Sequence, residues 1–447
     1  MNITPSASPS AGTVAGAATY EDKLFRKIAW RLLPILMLGY LAASIDRVNV
    51  GFAKLHMAQE LGFSDAIYGF GAGVFFLGYF LFEVPSSVIL HRVGARLWIA
   101  RIMATWGIIS ALTMLVSSPW QFYLVRFALG VAEAGFIPGV IYYLTLWFPA
   151  QRRGRIMGVF YIALALAGFI GGPVSGLILQ TMQGVWGLAA WKWLFIIEAI
   201  PTILIAVLVL TKLDNNVQSA KWLDPDERQH VKTLIDAESQ QKSHMPLRVL
   251  FGNRLVQVMS LIFFCDIFAM YGLGFWMPTL INNMGVKNDL SIGLMSALPS
   301  IFAVISMILV SRNSDRTGER RLHLILLYAL GAIGLSLSIV WQHDPALGIF
   351  ALCIANMGIL AIPALFWNLP TAILGGAAAA AGIALINSFA NLAGFLGPYL
   401  VGYAKQLSGN TESAVWLMVV VLVVGGLLTL TVPAKLVNRT PAVQDAQ

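Results

Sequence analysis

His91-Arg92-Val93-Gly94-Ala95-Arg96 recurs as Asp315-Arg316-Thr317-Gly318-Glu319-Arg320, with Arg316 standing 224 positions after Arg92. Each copy is a short basic turn between two long apolar runs. Other landmarks keep nearly the same offset. Ile137-Pro138 matches Ile362-Pro363 at 225, and Ala167-Gly168-Phe169 with Gly172-Pro173 matches Ala393-Gly394-Phe395 with Gly397-Pro398 at 226 and 225. A repeat of that period in a 447-residue chain means two halves in tandem.

Outward from the turns the chain is apolar. It is 58% hydrophobic and only 11% charged, with a mean hydropathy of +0.76, whereas about a quarter of a soluble domain is charged. Apolar stretches near the length that crosses a bilayer as a helix occur at 31–53, 66–90, 97–116, 122–146, 156–180, 193–212, 256–281, 291–311, 322–341, 347–373, 381–404 and 414–434. The expected fold is an all-α polytopic membrane protein, its twelve transmembrane helices arranged as two six-helix pseudo-repeats. An even number of spans per half makes the repeats parallel, related by an axis along the membrane normal. The expected parts are a disordered tail at 1–30, bundles at 31–212 and 256–434, a linker at 213–255 and a second tail at 435–447.

The net charge of +8 is a topology signal. Of 29 Lys and Arg, all but Lys54, Lys192, Lys287, Lys405 and the intramembrane Arg47 and Arg126 fall in the tails and in loops on one side of the map. The positive-inside rule makes that side cytoplasmic, termini included, and argues against a nucleic-acid partner. The first 20 residues lack the apolar core of a signal peptide. Cys265 and Cys353 lie within spans and the His residues have no metal-ligand spacing, so no metal or cofactor is expected. In the linker, Asp224 reads as an N-cap, Pro225 as a first-turn residue and Glu227 as closing a capping box. Val231, Leu234 and Ile235 continue as an amphipathic stripe that would tether the halves.

The first apolar run contains Ser44-Ile45-Asp46-Arg47-Val48-Asn49. A charge at the centre of a spanning helix costs about 2.5–3.5 kcal/mol on insertion scales, and those retained mark ion or substrate pathways by default. A single pair would serve equally as a structural staple. The fourth span carries a second one, Arg126 and Glu133, seven residues apart and so on one helix face. Arginine stays charged and its planar fork matches a carboxylate. Arg47 and Arg126 are therefore the expected ligands of a small organic anion. Adjacent helical residues diverge by about 100°, which sends Arg47 toward the central cavity and Asp46 toward neighbouring helices. Desolvation drives a carboxylate in such a site toward neutrality and a nearby Arg drives it toward ionisation. That competition suits Asp46 and Glu133 to proton coupling. From the second half Asn387 and Asn391, at i,i+4 spacing, are expected to face the cavity, with Tyr271, Trp367 and Asn368 as further substrate contacts.

Two six-span halves, each with a basic turn after its second span, resemble the major facilitator superfamily across essentially the whole chain. The family's turn reads Gly-x-x-x-Asp-Arg-x-Gly-Arg-Arg or close to it. The second copy keeps Asp315, Arg316, Gly318 and Arg320, while the first has Ser87 and His91 for the Gly and the Asp, beside Arg92 and Arg96. The resemblance implies that these turns clasp a cytoplasmic gate, weakened here by His91. Within the superfamily, Ile45-Asp46-Arg47-Val48-Asn49, Gly78-Tyr79-Phe80-Leu81-Phe82-Glu83-Val84-Pro85, Arg126-Phe127-Ala128-Leu129-Gly130-Val131-Ala132-Glu133-Ala134-Gly135 and Trp147-Phe148-Pro149 resemble the anion:cation symporter family. So do Phe366-Trp367-Asn368-Leu369-Pro370-Thr371 and Gly382-Ile383-Ala384-Leu385-Ile386-Asn387-Ser388. The bacterial tartrate- and phthalate-type members are the nearest in kind. The resemblance implies proton-carrying roles for Asp46 and Glu133, substrate roles for Arg47, Arg126 and Tyr79, and structural carboxylates at Glu83 and Glu198. Asp266 has no assigned place.

The expectation is a monomeric carrier in a bacterial inner membrane that imports a small carboxylate with protons by alternating access. An exporter of the same fold is the alternative, because Gly168-x-x-x-Gly172-Pro173-x-x-Gly176 resembles a fifth-span signature of drug:proton antiporters. Close helix packing by small residues explains that stretch equally well. An enzyme would need a nucleophile, metal cluster or phosphate loop, and none is visible.

Overall fold

The computed structural model describes residues 11–239, 252–373 and 376–438. Among these, twelve helical segments are long and apolar enough to cross a membrane: Tyr20–Leu61, Asp65–Val93, Ala95–Leu115, Pro119–Thr145, Gln151–Thr181, Ala190–Lys212, Arg254–Asn283, Asp289–Thr317, Arg321–Val340, Pro345–Ile373, Gly382–Ser408 and Thr411–Leu430. They are the first to twelfth spans below. The face that carries Tyr20, the linker helix and residue 438 is the near face, and the opposite one is the far face.

Two corrections concern the ends. Residues 20–30, expected as part of a disordered tail, are helical. Leu24, Phe25 and Ile28 are buried, with the Phe25 ring 6.0 Å from that of Phe148, because they share one helical face with Leu32. Residues 435–438, expected as tail, are docked: Val437 is buried and Asn438 Oδ1 accepts the N–H groups of Arg320 (3.0 Å) and Arg321 (3.2 Å). Residues 1–10, 240–251 and 439–447 lie outside the described residues. The linker helix runs Pro225–Ser239. Glu227 reaches back to the Asp224 N–H at 3.0 Å and takes Lys27 Nζ at 2.7 Å, while His230 meets Glu21 at 3.2 Å. The helix is thus moored on the first half.

Two spans break where a proline removes a backbone donor. Pro138 leaves the Ala134 carbonyl without its i+4 partner, the helix Pro119–Glu133 ends, and Gly135 adopts φ 88° before Phe136–Thr145 resumes. Pro363 does the same to Ile359, the last residue of Pro345–Ile359. The first span breaks at Asn49, between Ala11–Val48 and Val50–Leu61. Asp46, Arg47 and Glu133 therefore all sit at helix interruptions.

The halves meet through the second span on the eleventh and the fifth on the eighth. Glycines permit the approach. A Cβ on Gly172 would lie 2.5 Å from the Gly293 carbonyl oxygen, and one on Gly69 would lie 2.5 Å from that of Pro398. Hydrogen bonds between the halves run from Ala66–Gln406 at the far face to Glu83–Asn391 at mid-depth. At the near face, His91 and Arg96 of the first basic turn meet residues of the first half, and Arg320 of the second turn meets a residue of the second half. His91 packs at a tilt against Tyr142 with ring centroids 4.0 Å apart, and the Arg96 N–H donates to Asn215. Arg320 donates to the Asn368 carbonyl. The cleft between the halves is closed at the far face by the Ala66–Gln406 and Asp65–Lys405 bonds.

Candidate functional site

Asp46 and Arg47 diverge as adjacent helical residues must. Asp46 is buried within the first half and accepts three neutral donors: Trp106 Nε1–H at 2.7 Å, Thr202 Oγ1–H at 3.1 Å and Ser110 Oγ–H at 3.2 Å. One turn on, Asn49 donates to Glu198 at 2.9 Å, and Ser175 donates to the same carboxylate at 2.7 Å. These bonds form a polar seam through the first, third, fifth and sixth spans. Arg47 turns to the boundary between the halves. Its Nη1–H donates to Tyr271 Oη at 3.0 Å and its Nη2–H to Glu133 Oε1.

Arg126 is 1% exposed. Its hydrogen bond to the Ala72 carbonyl is a long one, 3.4 Å, and among the described residues it makes no ion pair. Aromatic faces surround it instead. The Phe75 ring lies 5.2 Å from the Arg126 guanidinium and 5.4 Å from that of Arg47, and Phe275 lies 6.0 Å from Arg126. Cation–π contact of this kind recovers part of the lost hydration. Arg47 Nε, Arg126 Nε and Glu133 Oε2 are buried with no hydrogen-bond partner. The two guanidinium groups thus share one ring, and the one carboxylate, Glu133, pairs with Arg47. With Glu133 ionised the trio carries one net positive charge, and with Glu133 protonated it carries two. The arrangement can accept a carboxylate at Arg126, and a second at Arg47 when Glu133 gives up that contact.

The other sequence candidates divide in two. Tyr79 belongs to the cluster, its ring 5.7 Å from the Arg47 guanidinium, and Asn391 reaches the cleft, donating to Glu83 at 3.2 Å. Asn387 lies one turn nearer the near face, half-buried. Trp367 and Asn368 are not with the arginines. Trp367 packs against Phe263, with centroids 4.8 Å apart, and the carbonyl of Asn368 holds Arg320. The helix interruption ahead of Pro363 places both beside the second basic turn rather than in the arginine cluster. The turn residues Arg92, Asp315 and Arg316 are exposed at the near face. Glu83, read as structural, instead faces the cleft, whereas Glu198 lies in the seam. Asp266 is fully buried, and neither carboxyl oxygen has a hydrogen-bond partner.

Sequence reasoning missed Phe75, although Phe75 and Tyr79, like Tyr271 and Phe275, are aromatics at i,i+4 spacing. Lys54, one position past the expected end of the first span at 53, is buried within that span. A separate cleft of about 480 Å³, lined by Phe169, Pro173, Val174, Leu294, Leu298 and Ile301, is wholly apolar and open between the fifth and eighth spans. It touches none of the charged groups and suits lipid chains.

Twelve spans in two halves, with intramembrane charges on a cleft closed at one face, define a polytopic carrier. The chain belongs to the Major Facilitator Superfamily, whose family model matches residues 36–398, and it is a multi-pass membrane transporter of that superfamily. It is 46% identical over 419 residues to "Putative metabolite transport protein NicT" of Pseudomonas putida, covering 93% of this chain and 96% of that one. It is 44% identical to a "Putative tartrate transporter" of Agrobacterium vitis (92% and 94% covered) and 42% identical to a "Quinolone resistance transporter" of Acinetobacter baumannii (93% and 96%). The fold matches an inward-facing bacterial homologue of the human lysosomal transporter Spinster (TM-score 0.71, 16% identity, 92% and 98% covered). It also matches a D-xylose–proton symporter (TM-score 0.70, 16% identity, 91% and 98%).

Proposed function

We propose that this transporter imports a small organic acid anion by proton symport, with Arg47 and Arg126 binding the carboxylate and Glu133 and Asp46 carrying the coupled protons. The observation that carries the reading is Arg126, a buried guanidinium without a carboxylate partner among the described residues. An unpaired charge in a membrane interior is costly, and an anionic substrate supplies the missing partner. Glu133 supports the coupling role because it occupies Arg47, the second cation. Protonating Glu133 releases Arg47 to substrate, so proton and anion arrive together. Asp46, held only by neutral donors, exchanges a proton without breaking an ion pair. Tyr79, Tyr271 and Asn391 line the same cleft, from both halves.

By the positive-inside rule the near face is cytoplasmic; the bacterial relatives support a bacterial inner membrane, and the bonds that close the far face support a cleft open to the cytoplasm. The tartrate-named relative supports an organic acid and the quinolone-resistance relative supports export as the second reading. Purified protein in proteoliposomes decides between them. An inward proton gradient should accumulate at least one of tartrate, gluconate and benzoate; accumulation of a cationic or neutral drug instead, driven by proton counterflow, would overturn the proposal.

A further inference from the structure

The closed far mouth contains a second charged cluster, apart from the Arg47–Arg126 centre. Asp65, in the first turn of the second span, is shared by two ammonium groups. Its Oδ1 takes Lys54 Nζ at 2.7 Å and its Oδ2 takes Lys405 Nζ at 3.2 Å. Trp276 lies between them, its ring centroid 3.7 Å from Lys54 Nζ and 5.3 Å from Lys405 Nζ, and Tyr68 lies 4.9 Å from Lys54 Nζ. Lys54 also reaches Thr279 at 3.5 Å. The side chains are shielded: Lys54 is 6% exposed, Lys405 17% and Asp65 26%. Two lysines thus face a single carboxylate. Each oxygen of one carboxylate takes one cation, the geometry a free carboxylate would adopt there.

The cluster is divided between the halves. Lys54, Asp65 and Tyr68 belong to the first, and Lys405, Trp276 and Thr279 to the second. Separating the halves at the far face leaves Asp65 with Lys54 and strips Lys405 of its carboxylate. We propose that Lys405, with the Trp276 face beside it, is an entry site for the substrate carboxylate, occupied by Asp65 as an internal stand-in while the mouth is closed. An arriving anion takes the place of Asp65 on Lys405 and then passes inward to the arginines. Departure of the anion lets Asp65 return and the mouth close. The site rests on the organic-anion reading above and adds to it a first stop on the path.

Initial rates of uptake of tartrate, gluconate and benzoate into proteoliposomes, from the side bearing Lys405 and at several salt concentrations, test the site. Lys405→Gln should raise KM roughly three- to tenfold and flatten its salt dependence, as expected when one partly screened steering charge is lost. Lys405→Arg should keep both near wild type. Asp65→Asn removes the competing carboxylate and should lower KM. The cluster is only a mechanical latch if Lys405→Gln and Asp65→Asn change kcat alone, with KM and its salt dependence unmoved. That result would overturn the entry site while leaving the proposed function in place. Failure of wild type to take up any of the three anions would remove the proposed function and this site with it.

Discussion

Arg126 and Glu133 share one face of the fourth span, yet Glu133 pairs with Arg47 of the first span and Arg126 has no carboxylate partner among the described residues. The two cations of the site are thus unequal. One is neutralised by Glu133, and the other has no carboxylate beside it among the described residues.

That inequality predicts opposite effects on stability and binding. Arg126→Met removes an unpaired buried charge, and replacing buried ions by apolar side chains of similar volume is often neutral or stabilising. The melting temperature of Arg126→Met in detergent should equal or exceed that of wild type while anion binding is lost. A marked fall in melting temperature would mean that the ring and carbonyl contacts of Arg126 are structural.

Arg47→Ala leaves Glu133 buried without its partner, which costs about 3–5 kcal/mol for a broken buried pair. Adding Glu133→Gln should restore most of that stability and none of the binding. If the double variant binds anion like wild type, Arg47 serves only to neutralise Glu133.

Coupling separates from binding at the two acids. Asp46→Asn and Glu133→Gln each fix a neutral side chain, so both should lose proton-driven accumulation while exchange of labelled for unlabelled substrate partly survives. Wild-type accumulation against a gradient in both variants would contradict the coupling role.

The glycine contacts between halves make the alternating motion testable. Gly172→Val puts two methyl groups against the Gly293 carbonyl, where even a Cβ has no room. It should hold the far mouth open, raising the labelling of a cysteine at Thr279 by a far-side reagent. Unchanged labelling would mean that the fifth and eighth spans separate at rest. The same contact gives this stretch a packing role: Gly172 and Gly176 pack on Gly293 and Asp289, as Gly69 packs on Pro398 in the symmetric position. Both copies serve packing.

What the sequence made legible is what helical periodicity determines. Offset landmarks gave two halves, and adjacency on a helix sent Asp46 and Arg47 to different neighbours. The partner of Glu133 was a matter of length. Seven residues along a helix rise roughly 10 Å, too far for Arg126 to reach, and only tertiary packing brings Arg47 to it. Lys54 was hidden because the apolar run stops before it, while burial continues on the Tyr68 and Trp276 rings. Trp367 and Asn368 were named on residue type and resemblance, with no periodicity to orient them, and they meet Phe263 and Arg320.

Calorimetric titration of wild type, Arg126→Gln and Arg126→Lys with tartrate, gluconate and benzoate tests the central assignment most directly. Truncating one partner of a buried charge contact costs about 2–5 kcal/mol, so the anion that binds wild type should bind Arg126→Gln roughly 30-fold to several thousand-fold more weakly. Lysine should rescue poorly, because a point charge does not reproduce the guanidinium fork. Affinity in Arg126→Gln equal to that of wild type would contradict the organic-anion assignment and put the exporter in its place.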